Sequence, residues 1–257
     1  MITKFRINSL SLLLILSGFL SSQTLFSQQV SCDTITNLSN PNCKEAVYKT
    51  PNGKFYKVKF VDDPFDNVQS ENVLAISNCL DSTFAGTARK AAKTSIVNAK
   101  IEDFATVSAL LKALAKDAIV RAKLTSSSPR IAEEKHYVRL LKDTYLYAFK
   151  KESDNDYHVI IGDNKNVKKA TFFNVEISGL SNANVKTFTA VRAAFEKQFV
   201  RVCSSGYVIF AQNPIKIQIE GSTFFDVDHK PGQIGPVGFQ PATNWEIHPI
   251  SKITFLQ

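Results

Sequence analysis

Apolar side chains recur at every second position from His136 onwards, and this period constrains the fold more than any other feature. In HYVRLLKDTYLYAFKKE it places Tyr145, Tyr147 and Phe149 on one side of an extended chain, because neighbouring side chains of a strand point to opposite faces. The same period runs through NDYHVIIGD, KATFFNVEIS, IKIQIEGSTFFDVD and WEIHPISKITF. The pattern therefore predicts five strands in this part of the chain.

A helical period interrupts the strands between the third and the fourth. The segment VKTFTAVRAAFEKQF repeats its apolar residues at steps of three and four, which is typical of a helix with one buried face. Those residues are Val185, Phe188, Val191, Ala194 and Phe195. Three strands, one helix and two strands is the order of the OB-fold. We therefore predict an α+β, mainly β fold, a five-stranded OB-like Greek-key barrel over residues 136–257 with one helix between strands 3 and 4.

Single residues refine these strand predictions. Gly221 lies inside the long fourth strand and predicts a bulge or a sharp bend. Pro249 lies inside the fifth strand and predicts an edge position or a bulge. The segment from Val208 to Phe210 is a candidate for a short additional strand, and Trp245 is assigned to the barrel core or to its closing face.

Two further regions precede the predicted barrel. Residues 28–86 are rich in Asn, Ser, Asp and Thr, and we expect an irregular N-terminal region with one hairpin around Pro51-Asn52-Gly53. Residues 87–135 are rich in Ala, Lys and Leu and predict a basic helical segment, with a helix from about Asp103 to Ala115. The polar stretch TSSSPRIAEE is the predicted boundary before the barrel.

The first residues have the pattern of a secretory signal peptide. Lys4 and Arg6 precede an apolar run from Leu10 to Leu20, and cleavage is expected after Ser27. The run is shorter than the roughly 20 residues that span a bilayer, and no later segment is apolar over such a length. We therefore expect a signal peptide over residues 1–27 and a soluble mature protein without a transmembrane segment, either secreted or periplasmic.

Four cysteines remain in the expected mature chain: Cys32, Cys43, Cys79 and Cys203. An even number in an oxidising compartment predicts two disulfides. Closeness in sequence favours Cys32 with Cys43 and leaves Cys79 with Cys203, while free buried thiols are the alternative. No spacing typical of a zinc site occurs, so the sequence assigns no metal ligands and no cofactor.

The net charge of +8 is concentrated in one region. Between residues 87 and 152, fourteen Lys and Arg stand against seven Asp and Glu. Such an excess favours an anionic ligand at the basic segment. A solvated helical face is the alternative interpretation.

Carboxylates and imidazoles recur close together in the predicted strands. The three pairs are Asp156 with His158, Asp226 with His229, and Glu246 with His248. These side chains bind metals and act as general acids and bases, so all six are candidate catalytic residues. His158 and His248 are the better candidates because strands hold geometry better than loops do. The alternatives are the solvent side of a sheet, or buried pairs that hold loops. Sequence motifs of a nucleophilic serine or a phosphate-binding loop are absent.

Three motifs, DYHVI, FFDVDH and EIHP, follow one another in the last part of the chain. With their surroundings, over about residues 117–257, they resemble a widespread family of exported bacterial proteins of uncharacterised function, whose members read D-Y-H-[LV]-[VI], F-F-D-x-x-H and E-[LI]-H-P. The chain departs from the family after the third strand, where SGLSNAN replaces a proline and a cysteine, and in the turn before Phe224. The matching positions are Asp154, Asp156, Tyr157, His158, Glu176, Gly221, Phe224, Phe225, Asp226, His229, Gly232, Gly235, Glu246, His248 and Pro249. The resemblance implies export and one compact β domain, and it implies no activity.

Three kinds of function are compatible with these observations. The first is an exported soluble binding module of unknown ligand, for which the basic segment favours an anionic oligomer such as nucleic acid or oligosaccharide. The alternatives are a metal-assisted hydrolase or nuclease that uses the His, Asp and Glu residues, and a structural or partner-binding exported protein. Convergence of His158, His229 and His248 in one cleft would favour the hydrolase.

Overall fold

The computed structural model describes residues 31–38, 44–63, 82–199 and 206–256. The predicted signal peptide over residues 1–27 lies outside these ranges. Cys43, Cys79 and Cys203 also lie outside them, and so do the disulfides predicted for these residues. In the described part of the chain, no helix has the length and apolar character needed to cross a membrane.

The described residues form eleven strands and four α-helices. The strands are β1 (Ser31–Ile35), β2 (Glu45–Lys49), β3 (Phe55–Val61), β4 (Ile101–Thr106), β5 (Tyr137–Asp143), β6 (Tyr145–Lys151), β7 (Tyr157–Gly162), β8 (Phe172–Ile177), β9 (Tyr207–Ile209), β10 (Ile215–Phe225) and β11 (Trp245–Phe255). The helices are α1 (Lys90–Lys93), α2 (Val107–Ala113), α3 (Asp117–Arg121) and α4 (Val185–Gln198).

All of these strands belong to one mixed sheet. Their order is β1-β2-β3-β9-β6-β7-β8-β11-β10-β5-β4, and β6 also pairs with β10. The pairs β1–β2, β4–β5 and β8–β11 are parallel, and the others are antiparallel. The predicted five-stranded OB-like Greek-key barrel is therefore wrong, because the structure is a large mixed sheet with eleven strands.

The prediction failed because it counted only the strands after His136. The short strand β9 pairs with β6 on one side and with β3 on the other, so the N-terminal hairpin extends the sheet at one end. At the other end, β4 pairs with β5. The free backbone groups of an edge strand need partners, and here strands far away in sequence supply them.

The helix predicted from about Asp103 to Ala115 begins later and is shorter. Residues Ile101–Thr106 form β4, and α2 starts only at Val107. The hydroxyl of Thr106 accepts a hydrogen bond of 3.1 Å from the backbone N–H of Ala109 and so caps the helix. Pairing with β5 therefore overrides the helical spacing of the first residues.

Two local predictions are confirmed. β2 and β3 form the expected antiparallel hairpin, and Gly53 in its turn has a φ angle of 82°, which glycine adopts without strain. α4 occupies the segment predicted to be helical, and its buried residues include Phe188, Val191 and Phe195.

Aromatic side chains fill the space between α4 and the sheet. The ring of Phe195 lies 5.0 Å from that of Phe149 and 5.1 Å from that of Tyr157. The ring of Phe199 lies 4.9 Å from that of Phe149 and 5.4 Å from that of Phe210. All five side chains are buried, and burial of a large apolar side chain stabilises a protein by roughly 1.5–3 kcal/mol. This core fixes the positions of β6 and β7, and β7 contains the candidate site residue His158.

β11 is a central strand that pairs with both β10 and β8. The edge position that Pro249 suggested for this strand is therefore wrong. The bulge predicted at Gly221 is confirmed, because the register between β10 and β11 shifts on both sides of this residue. A Cβ atom added at Gly221 would lie 2.4 Å from Cγ2 of Ile247 and 2.5 Å from the carbonyl oxygen of Pro249. Only glycine allows the two strands to approach this closely.

We expect Gly221→Ala to lower the free energy of unfolding by about 1–3 kcal/mol, because the new methyl group overpacks the contact between β10 and β11. Urea denaturation should show a lower midpoint with an unchanged slope. Val237→Ala is the control, since this side chain is 75% exposed and its truncation should leave the midpoint in place. Wild-type stability of Gly221→Ala would contradict the close approach described here.

A buried ion pair fastens the segment around α1 to β10. The guanidinium of Arg89 donates hydrogen bonds of 2.9 and 2.6 Å to the two carboxylate oxygens of Glu134, and one of 2.8 Å to the carbonyl oxygen of Phe225. Glu134 also accepts a hydrogen bond of 2.8 Å from the backbone N–H of Phe225. Because both charged groups have their partners, this pair is tolerated in the interior.

We expect Glu134→Gln to destabilise the protein by about 3–5 kcal/mol, because it leaves the charge of Arg89 buried beside a neutral partner. Glu133→Gln is the matched control, since Glu133 pairs with the half-exposed Lys123, and such pairs contribute less than about 1 kcal/mol. Thermal and urea unfolding of both variants check this difference. Equal effects of the two substitutions would be inconsistent with the proposed role of the buried pair.

Candidate functional site

Three neighbouring strands place the candidate side chains next to one another. β8 lies between β7 and β11 in the sheet. His158 of β7 is opposite Glu176 of β8, and Asn174 of β8 is opposite Glu246 of β11. His248 follows Glu246 by two residues on the same strand. Strand pairing therefore assembles the cluster.

Glu176 is the centre of this cluster. Its Oε1 lies 2.8 Å from Nε2 of His158, and its Oε2 lies 2.6 Å from Nδ1 of His248. The other ring nitrogen of His158 lies 2.9 Å from Oε1 of Glu152. Glu176 and His248 are buried, so water screens the interaction between them only weakly.

Carboxylates surround His248. Its Nε2 lies 3.3 Å from Oδ2 of Asp156, and its Nδ1 lies 3.7 Å from Oε2 of Glu246. Both ring nitrogens are buried without a hydrogen-bond partner, and so are the facing oxygens of Asp156, Glu176 and Glu246. These groups are close but are not aligned as donors and acceptors. Because buried polar atoms nearly always have a partner, this group of atoms calls for an explanation.

Asp156, Glu176 and His248 can together hold a metal ion. Each offers one ligand atom, these atoms lie within 4.8 Å of one another, and all three residues are buried. Two carboxylate oxygens and one imidazole nitrogen suit divalent ions such as Zn²⁺, Mn²⁺ and Fe²⁺. Three protein ligands also leave positions for water or substrate, as in catalytic metal sites.

A pocket of about 270 Å³ opens beside the cluster. Its walls include Lys93, Glu152, Asp154, His158 and His229. His158 lines the pocket and also contacts the central carboxylate of the cluster. His158 therefore lies between the pocket and the buried cluster, and it is the residue through which the two are in contact.

Two carboxyl groups of the site hold their protons more strongly than usual. Burial, together with the charge of Glu176, raises the pKa of Glu246 to about 7. Burial, together with the charge of Asp156, raises the pKa of Asp154 to about 6. Carboxyl groups with such values can exchange protons near neutral pH.

The two histidines of the cluster, His158 and His248, also hold their protons, but here the cause is the neighbouring carboxylates and not burial. Burial opposes the charged form of His158, but Glu152 and Glu176 outweigh it and raise the pKa of this imidazole well above its usual value. Burial likewise opposes the charged form of His248, whose pKa is nevertheless raised well above its usual value, with Glu176 as the main cause. Burial would raise the pKa of Glu152, but the charge of His158 lowers it to about 2.

Asp226 and His229 form a separate pair, of which His229 lines the pocket. Oδ2 of Asp226 contacts Nδ1 of His229, and this hydrogen bond raises the pKa of His229 although burial opposes it. The guanidinium of Arg121 donates to the carbonyl oxygens of His229 at 2.7 Å and of Val227 at 2.9 Å. The loop is therefore held in place while the imidazole faces the pocket.

The structure brings the six predicted site residues to one region. Four of them belong to the buried cluster, namely Asp156, His158, Glu246 and His248. Of the other two, His229 lines the pocket and Asp226 is buried beside it. Glu246 and His248 are buried, so they do not form the solvent side of a sheet. Sequence reasoning left Glu176, Glu152 and Lys93 out of the candidate set. The two-residue period places Glu176 on the face of Asn174, but it does not reveal which strand is adjacent.

No protein-family model, no curated protein and no solved structure matches the chain. The resemblance to a family of exported bacterial proteins therefore stays a prediction.

We expect the contribution of Asp154 to the stability of the metal-free protein to fall as the pH rises from about 4 to about 6, because the folded state binds its proton more strongly than the unfolded state does. Asp154→Asn should flatten this slope and make the protein more stable at pH 7, by about 2–3 kcal/mol for a shift of this size. Urea unfolding in EDTA at several pH values measures the effect. Asp62→Asn is the control, because that carboxylate is almost fully exposed. A slope unchanged by Asp154→Asn would contradict this assignment.

Proposed function

We propose that the protein is an exported hydrolase whose reaction is assisted by a divalent cation bound at Asp156, Glu176 and His248. One observation carries the proposal. Three buried ligand atoms from these residues lie within 4.8 Å of one another, and their facing atoms have no hydrogen-bond partner.

The charges of the buried cluster support a cation. The carboxylates of Asp156, Glu176 and Glu246 approach one imidazole, and buried carboxylates are costly unless they are compensated. A divalent cation compensates two carboxylates and takes the place of a proton on an imidazole nitrogen. Its binding is therefore expected to release a proton.

The adjoining pocket supports a catalytic rather than a purely structural cation. A divalent cation held by Asp156, Glu176 and His248 would lower the pKa of a bound water and so favour a nucleophile closer to neutral pH. Asp154 and His229 line the same pocket and can accept or donate protons there. Glu152 and Asn174 hold the surrounding side chains, since Glu152 contacts His158 and the amide of Asn174 donates to Glu176 at 3.0 Å.

We expect the wild-type protein, after dialysis against EDTA, to bind one Mn²⁺ or Zn²⁺ per chain in calorimetric titrations. Glu176→Gln and His248→Ala should each weaken this binding by at least about 100-fold, because each removes one of three ligands, whereas loss of an outer partner typically costs 10–100-fold. His136→Ala is the matched control, since His136 pairs with Glu102 outside this group. It should bind the cation as the wild type does.

The same variants test the chemistry. Hydrolysis of chromogenic carboxylic and phosphate esters should require the cation, and it should be lost in Glu176→Gln and His248→Ala. A wild-type protein that binds no cation would refute the proposal. Cation binding without hydrolysis of any ester would assign the site a structural role.

Binding of an anionic oligomer without hydrolysis is a second candidate, and the basic segment favours it. Two of its arginines make contacts inside the protein, Arg89 with Glu134 and Arg130 with the carbonyl oxygen of Ser95. Many of its lysines are instead exposed, namely Lys90, Lys100, Lys112, Lys116, Lys123, Lys135 and Lys142. Affinity for an oligonucleotide that falls steeply with salt, without cation-dependent turnover, would support this candidate.

A further inference from the structure

We propose that Lys93 binds a negatively charged oxygen of a phosphate ester, next to the cation at Asp156, Glu176 and His248. The inference rests on the proposed function and names its substrate class.

Lys93 differs from the other cationic side chains of the pocket. Lys150 lies 2.8 Å from Glu152, and His158 lies 2.9 Å from the same carboxylate. His229 pairs with an aspartate three residues earlier. Among the described residues, Nζ of Lys93 has no carboxylate within 4.0 Å and no hydrogen-bond acceptor. Its ammonium group is therefore available for a ligand.

Lys93 also lies beside the cluster. Its Nζ is 5.9 Å from the centre of the Phe224 ring, and that ring lies 5.4 Å from the imidazole of His248. Burial opposes the charge of Lys93, but the nearby carboxylates, Glu176 first, raise its pKa above the usual value. The side chain therefore stays cationic over the physiological pH range.

The backbone on both sides of Lys93 is fixed. Arg89, directly before α1, is bound to Glu134. Directly after α1, the side-chain amide of Asn184 donates a hydrogen bond of 2.9 Å to the carbonyl oxygen of Thr94. A positively charged group on a fixed backbone is a preorganised partner for an anion.

A phosphate ester fits a cation and an ammonium group placed together. The carboxylates of Asp156 and Glu176 compensate the divalent cation, so Lys93 adds positive charge at the pocket wall. Metal ions and lysine or arginine side chains are the recurring partners of phosphoryl oxygens, because negative charge is spread over those oxygens in the transition state. The exposed lysines elsewhere on the protein favour the same kind of anionic substrate.

The reaction is a hydrolysis without electron transfer. Water adds to phosphorus, and the bond from phosphorus to the leaving oxygen breaks, with its electron pair staying on that oxygen. One proton of the water ends on the released alcohol. A phosphodiester thus yields a phosphomonoester and an alcohol.

The test uses inorganic phosphate as the probe and the Mn²⁺-loaded protein. Lys93→Met should weaken phosphate binding by at least about tenfold, as expected for the loss of a charge-assisted hydrogen bond, whereas Lys93→Arg should stay within about threefold of the wild type. Lys90→Met is the matched control, because Lys90 lies on the same helix and is exposed. Circular dichroism and the affinity for Mn²⁺ show whether each variant keeps its fold and its cation site.

Two results would overturn the inference. One is unchanged phosphate affinity in Lys93→Met, and the other is wild-type protein that binds acetate as tightly as phosphate. Hydrolysis of bis(p-nitrophenyl) phosphate should fall in Lys93→Met, while any hydrolysis of p-nitrophenyl acetate should not. If the wild type binds no Mn²⁺, the proposed function fails. Phosphate titrations without metal then show whether Lys93 binds an anion on its own. Loss of phosphate binding in Lys93→Met would still support the anion site, and an unchanged affinity would reject it.

Discussion

The burial of β11 between β8 and β10 is the constraint on which the rest of the structure depends. A strand with the sequence WEIHPI could expose one face to solvent. Here both of its neighbours are strands, and Glu246 and His248 are buried. Buried ions cost several kcal/mol each unless partners compensate them. Asp156 and Glu176 add further carboxylates at the same place. An arrangement of this kind persists where the surrounding structure enforces it, and such arrangements concentrate at functional sites.

Rigid packing around the cluster supplies that enforcement. The aromatic core under α4 holds β6 and β7, and the pair of Arg89 with Glu134 holds the chain around α1 against β10. In the proposed function, the buried cluster would hold the cation, and the pocket, with Lys93 in its wall, would hold the phosphate ester.

Local patterns predicted several elements correctly, and pairing between distant segments accounts for the errors. Asn52-Gly53 specified the hairpin of β2 and β3, the apolar stripe through Phe188 and Phe195 specified α4, and Gly221 specified the bulge. These signals act within a few residues of one another. The segment that starts at Ile101 became a strand because β5 was available as a neighbour. The barrel was wrong because β9 connects the hairpin of β2 and β3 to the sheet and β4 adds an edge strand beside β5. No local period indicates such pairing.

The sequence by itself determined which residue types lie together on one strand, since the two-residue period of a strand follows from backbone geometry. It therefore placed Glu246 beside His248 and Asp156 beside His158. Only the tertiary structure decided that Glu176 contacts both His158 and His248 and that all of these groups are buried. It also decided that Lys93 lines the same pocket as His158. The physical reason is that strand neighbours and burial depend on hydrogen bonding and packing between segments far apart in the chain, whereas a sequence period describes one segment at a time.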